Sequence, residues 1–257
     1  MTNLLASSTR GAQLFGLLTL LGTLMGVYLY GVSMHSLQLI IAGYFLYGCL
    51  GVVVTYHRKL THNSYNTHPL LTKLFALLGC FAGTGSPLAW VAIHINHHLK
   101  SDKPGDPHSP LYKGVKIFGL DYAHEVDSDT KWRMRNIITD RYHQFLHRYY
   151  FGIILLWSLL LYAIGGFYLM LFLHWTPALV TIVMSNVVNY VGHKPQWFGG
   201  YRSYNLRDAS TNNWLFALPS WGESWHNNHH RFPKNATFGQ KWWEFDISGL
   251  VIKLIKT

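Results

Sequence analysis

The chain has 257 residues, close to half of them hydrophobic and only 12% charged, a balance that ordinary soluble domains do not show. Lys and Arg outnumber Asp and Glu by 21 to 11, and there are 16 histidines but only two cysteines. Cys49 and Cys80 both lie in apolar stretches and read as small packed side chains, which excludes a disulfide framework or a CxxC site.

No charged residue occurs from Gly11 to Tyr56 or from Tyr149 to Gly192. A bilayer core about 30 Å thick takes roughly 20 helical residues, so each stretch has room for two spans. The first divides at Gly31–His35 into helices near 12–30 and 36–56. The second divides at His174-Trp175-Thr176-Pro177 into helices near 150–173 and 177–192. The first apolar stretch is too long for a signal peptide and runs on into a second span without a small-residue cleavage site. Between the pairs, Pro69–Ile93 is apolar but interrupted by Lys73, three glycines and Pro87, and is expected to lie as an interfacial or partly inserted helix. The polar stretch Lys100–Arg148 is expected to be helical in part.

Every Lys and Arg lies outside the two uncharged stretches, and the short connection within each pair carries none. By the positive-inside rule the termini and both large polar segments face the cytoplasm. The expected architecture is an all-α membrane protein, a single domain over 1–257. It comprises four transmembrane helices in two hairpins under a cytoplasmic helical cap made of 57–148 and 193–257, with no appended electron-carrier domain. Cations placed this way serve the membrane face, and no nucleic-acid partner is expected.

Three histidine groups stand out: His57-Arg-Lys-Leu-Thr-His62, His94-Ile-Asn-His97-His98 and His226-Asn-Asn-His229-His230. On a helix, positions i, i+3 and i+4 share a face, so each of the last two groups is expected to aim its three imidazoles at one point. Positions 57 and 62 stand about 140° apart on a regular helix and converge only if the helix ends or turns between them. Asn189 and His193 add a fourth contribution from the end of the last span. A lone histidine at a membrane interface is ordinarily capped or partly solvated, but three such groups in order on one side of the membrane are not accidental. Nine imidazoles and an amide exceed the needs of one ion and suit two. Imidazole by itself does not choose among Fe, Cu, Ni and Zn. His35 and His174 fall on the opposite side. His68, His108 and His124 have no cluster partner, and His143 and His147 read as a solvated helical face.

With these residues in hand, the chain resembles the integral membrane fatty-acyl desaturases of the stearoyl-CoA and cyanobacterial delta-9 type. The resemblance runs from about Tyr56 to Asp246 and rests on HRKLTH, HINHH with Asp106-Pro107-His108, NYVGH at 189–193, Gly200-Tyr201-Arg202 and GESWHNNHH at 222–230. It implies a di-iron centre that uses O2 to place a cis double bond in an acyl chain, and a narrow acyl tunnel between the spans. His57, His62, His94, His97, His98, His193, His226, His229 and His230 are the implied iron ligands, with Asn189 reaching a metal through water. Thr181, Trp90 and Arg202 are the implied substrate contacts. Arg58, Lys59, Lys194, Arg202 and Arg207 are expected to receive an anionic headgroup and an acidic electron donor, a ferredoxin or a b-type cytochrome. The acyl-CoA members carry Arg-Asp before the second histidine box, where this chain has Ala92-Ile93. That departure favours acyl-lipid or acyl carrier protein thioester over acyl-CoA as substrate. A hydroxylase, acetylenase or decarboxylase uses similar ligands. A histidine-rich metal transporter is the rival from another class, set back by spans whose central parts show no ionisable residue.

Overall fold

The computed structural model describes residues 2–118, 126–194 and 199–257, with side chains from residue 11 onward. His124 lies outside the described residues.

Helix α1 (Thr2–Tyr30) ends at Gly31, and Ser33 starts α2 (Met34–Tyr44) through a capping box with Ser36. The chain then continues without a break as a π-helix, Phe45–Thr61. Runs of π-helix this long are rare and favour functional sites. Here the i→i+5 bonding, seen in His62 N–H donating to the His57 carbonyl at 3.2 Å, brings residues five apart onto one face. That answers the 57–62 problem through helix winding, where the sequence suggested a helix end.

The apolar segment 69–93 is two helices, not one. Helix α3 (Pro69–Phe81) packs along the π-helix, with Tyr56 donating to the Ala76 carbonyl at 3.1 Å. It stops where Gly83 and Gly85 take positive φ, and α4 (Pro87–Lys100) restarts with Ser86 as its cap and Pro87 in its first turn. Short helices α5 (Pro110–Lys113), α6 (Ser128–Arg133), α7 (Arg135–Ile138) and α8 (Arg141–Arg148) follow; Asp127 and Asp140 cap α6 and α8.

Helix α9 (Tyr150–Met170), a π turn (Leu171–Trp175) and α10 (Thr176–Gly192) form one helical run. The run breaks inside α9, at Gly165 and Gly166, where Gly166 has φ 66° and ψ −164°. Ser158, eight residues before Gly166, pairs with His174, eight residues after it, at 3.1 Å, and Trp175 Nε1 donates to the same hydroxyl. The chain therefore folds back at Gly165–Gly166. The expected division at His174–Pro177 is wrong: Pro177 sits in the first turn of α10, where its missing N–H is tolerated. His174 consequently lies within a helical run and not in a connection, bonded to Ser158 and to the Phe81 carbonyl.

Among the described residues three runs are long and apolar enough to cross a membrane: Gly11–Tyr30, Met34–Thr61 and Tyr150–Gly192. The last has 43 residues. A continuous helix of that length would be about 65 Å, twice a bilayer core, which the break at Gly165–Gly166 resolves. Leu17, Leu21 and Leu24 of α1 and Leu155, Leu156 and Leu159 of α9 are exposed, as side chains facing lipid would be.

The C-terminal third holds a two-residue antiparallel pairing of β1 (Gly200–Tyr201) with β2 (Asn212–Asn213), then α11 (Trp214–Ala217), α12 (His226–Arg231) and α13 (Ile247–Ile255). Ile252 of α13 is buried with Cys49, Val54, Tyr65 and Phe75, which seats this segment against the π-helix and α3. Both cysteines are free and buried.

Candidate metal centre and its cavity

The π-helix, α4, α12 and the end of α10 bring all nine selected histidines together in two groups. One is His57, His62, His94, His98 and His229; the other is His97, His193, His226 and His230. Within each, one ring nitrogen per residue lies within 4.8 Å of the others. Neither HxxHH box aims its three rings at one point, as the sequence suggested. Residues i and i+4, about 40° apart on the helix, stay together, and i+3 crosses to the other group. The two boxes are complementary: α4 gives two rings to the first group and one to the second, and α12 does the reverse.

The ring contacts suit a cation between the nitrogens. His98 Nε2 stands 3.0 Å from His94 Nε2 and 2.9 Å from His229 Nε2. His226 Nε2 stands 2.9 Å from His193 Nε2 and 3.1 Å from His230 Nε2, which is itself 3.3 Å from His97 Nε2. A single N–H points one way, so hydrogen bonds cannot satisfy nitrogens that each face two others. A cation between them satisfies all at once. With metal–nitrogen distances of about 2.1 Å, ligands at right angles stand about 3.0 Å apart, which is this spacing. His62 Nε2, buried among the rings of His57, His94, His98 and His229, has no hydrogen-bond partner.

Four rings are aimed from behind by carboxylates. His97 Nδ1 donates to Asp106 and His193 Nδ1 to Asp102, both at 2.8 Å; His230 Nδ1 donates to Asp208 at 3.1 Å; His57 Nδ1 donates to Glu223. Such partners fix the tautomer and leave Nε2 for the metal. Burial would raise the Asp106 and Asp208 carboxyls, but the facing histidines and backbone or hydroxyl donors hold both well below their usual range. Burial, and then the crowding of other imidazoles, pushes His62, His94, His98, His226 and His229 well below the usual histidine range and so keeps these rings uncharged. The sequence assigns none of these carboxylates this role, although Asp106 lies in the Asp106-Pro107-His108 triplet and Glu223 in GESWHNNHH.

Arg58 is a correction. Expected as a surface cation, it is fully buried, donating to Glu223 at 3.1 Å, to Asp246 at 2.8 and 3.0 Å and to the Ala236 carbonyl at 2.8 Å, with its guanidinium 3.9 Å over the Phe238 ring. It holds the carboxylate that orients His57. His143 and His147 are not a solvated face either. His143 is buried against Asp140, and His147 Nδ1 bonds the Ser86 hydroxyl at 2.5 Å, tying α8 to the start of α4.

A cavity of about 140 Å³ runs beside the histidines. His57 and His94 from one group and His226 from the other form part of its wall, and Tyr44, Gly48, Val52 and Thr181 carry it in between the long helices. Trp90, Asn189 and Thr181 line it. Arg202 is not among the lining residues; its guanidinium donates to the carbonyls of Leu206 and Asp208 at 2.9 Å, shaping the loop that presents Asp208 to His230. His174, with both nitrogens engaged by Ser158 and Phe81, offers no ligand to a transported ion.

The helices and the site define a membrane protein with two histidine groups able to hold metal ions beside an apolar cavity. The sequence model of the fatty acid desaturase family matches residues 33–246. The chain is 36% identical to an acyl-CoA C20 delta5-desaturase of Anemone leveillei over 87% of this chain and 72% of the relative. It is 35% identical to the sn-1 stearoyl-lipid 9-desaturase of Anabaena variabilis over 83% and 78%. It is 29% identical to a hex-5-enoyl-[acyl-carrier protein] acetylenase of Moorena producens over 95% and 82%. The chain belongs to the fatty acid desaturase family and is a fatty-acyl desaturase.

Proposed function

We propose that the two histidine groups hold two iron ions and that the enzyme uses O2 to introduce a cis double bond, of delta-9 type, into a lipid- or carrier-bound acyl chain. The observation carrying this reading is the shared wall: rings from both groups, His57, His94 and His226, border the same apolar cavity. In this reading the nine histidines are the ligands, and Asn189, four residues before His193 on one face of α10, reaches a metal through water. The ions, when bound, supply the oxidising chemistry that a protein side chain lacks. The chain's own residues do the rest. Glu223, Asp106, Asp102 and Asp208 hold Nδ1 protons and so point Nε2 inward. Val52, Trp90 and Thr181 confine the acyl chain and exclude water.

In this proposal one domain over 1–257 crosses the membrane four times, with termini and site on the cytoplasmic side. An external donor, a ferredoxin or b-type cytochrome, supplies electrons at the basic cap face. Ala92 and Ile93 line the cavity without charge, which supports acyl-lipid or acyl carrier protein thioester over acyl-CoA. Protein loaded anaerobically with ferrous iron, given donor, O2 and acyl substrate, is expected to yield a product two hydrogens lighter. Hydroxylated, acetylenic or chain-shortened product would assign the related chemistries instead. Metal flux in vesicles without O2-dependent product would assign a transporter. Labels at Ser33 are expected to react from outside and labels at Ser128 from the cytoplasm; the reverse for Ser128 would sink the topology.

A further inference from the structure

On α4, Ala89, Ala92, Ile93 and Asn96 share one helical stripe, and all four line the cavity. Three are apolar. Asn96 is 4% exposed, its Oδ1 is buried with no donor in reach, and among the described residues no acceptor takes its Nδ2. A buried carboxamide with both ends free is unfavourable and asks for a partner.

The partner's chemistry follows from the two free ends. A hydrocarbon offers neither donor nor acceptor, and an ester or thioester carbonyl offers only an acceptor, leaving Oδ1 unmet. A trans secondary amide turns its N–H and C=O to opposite sides, so its N–H meets Oδ1 while a neighbouring carbonyl of the same arm takes Nδ2. Acyl groups carry such an amide near the carboxyl end when they are joined to a phosphopantetheine arm, whether that arm belongs to coenzyme A or to an acyl carrier protein. Glycerolipid esters carry none. Cations stand at the expected phosphate end. Lys100, one turn beyond Asn96, is partly exposed and pairs with Asp127 at 3.2 Å, and Lys103 is exposed in the turn that follows.

We propose that Asn96 is a specificity-determining residue that pairs with an amide of a phosphopantetheine arm, so that pantetheine thioesters are favoured over glycerolipid-bound chains. This rests on the cavity being the acyl site and, of the two carriers that Ala92 and Ile93 favour there, selects the acyl carrier protein thioester over the glycerolipid.

The test uses the full-length, metal-loaded protein in detergent and two synthetic probes. These are an S-acyl pantetheine and its analogue in which the amide nearest sulfur is an ester, which removes the N–H while keeping the shape. Binding is read by thermal shift and by competition with turnover. Wild type is expected to bind the amide probe about tenfold more tightly, and Asn96→Leu to bind both at the weaker level. Turnover of acyl-CoA and acyl carrier protein thioester of one chain length is expected to fall about tenfold in Asn96→Leu, and the larger kcat/KM in wild type names the source of the arm. Equal binding of the two probes by wild type overturns the assignment without help from any variant. So does turnover of glycerolipid chains alone, which leaves desaturation standing. Failure of every acyl form to turn over strikes the reading of the cavity beneath it.

Discussion

Replacing Arg58 by Met removes the cation seated between Glu223 and Asp246 while leaving an unbranched side chain to cover Phe238. Asp246 is buried and Glu223 nearly so, and Arg58 itself is fully enclosed. Removing one partner of a buried ion pair destabilises by about 3–5 kcal/mol, because the charge left behind keeps its desolvation penalty. For a chain of this size that corresponds to a fall in melting temperature of roughly 10 °C. Glu223, no longer held at 3.1 Å by the guanidinium, also orients His57 less firmly, and losing such outer partners typically weakens a metal site by about 10- to 100-fold. Arg58→Lys keeps the charge but lacks the fork that reaches both carboxylates, and is expected to fall between. Thermal unfolding in detergent, with metal content measured on the same samples, reads both effects. An Arg58→Met protein within about 1 kcal/mol of wild type and carrying its full metal content would refute the role given to the cluster.

Asp106→Ala is expected to weaken metal binding at the four-histidine group by about 10- to 100-fold and to spare the five-histidine group, read by metal titration followed by dialysis; equal loss from both would contradict the partition. The metal-free protein carries a pH signature. Burial lowers the folded-state protonation of His94, His98, His226 and His229 below the usual 6.5, so the unfolded chain binds more protons as pH falls. Stability is present above 6.5 and lost below it, and the melting temperature is expected to drop steadily from pH 6.5 to 5; a rise would contradict the buried neutral rings. Gly48→Ala would set a methyl 2.8 Å from the Tyr44 ring and 3.1 Å from Thr181 Oγ1 in the cavity wall, and is expected to shift turnover toward shorter acyl chains. An unchanged chain-length profile would place the chain elsewhere.

The convergence of the histidines was legible because their spacing and order are written in the sequence. Their division was not. In HINHH the rings at i, i+3 and i+4 span an arc that suits one focus or two, and only the opposing helix decides. Two carboxylates were hidden by distance along the chain: Glu223 serves His57, 166 residues away, and Asp102 serves His193, 91 residues away. Arg58 reads as one more cation among many, and nothing local shows that two acids close over it. The fold-back at Gly165–Gly166 lies between equally apolar stretches, so hydropathy is silent there. The glycine pair was the available signal, and Pro177 drew attention to the wrong place. The π-helix leaves no composition mark at all, yet it puts His57 and His62 on one face.

The claim that two separate ions sit in two histidine groups is tested most directly by metal analysis of protein loaded with ferrous iron under reducing conditions. The account predicts two ions per chain in wild type. It predicts one in a His193→Ala, His226→Ala variant, which depletes only the four-histidine group, and one in a His62→Ala, His94→Ala variant, which depletes only the other. A single ion in wild type, or loss of both from either variant, would contradict it.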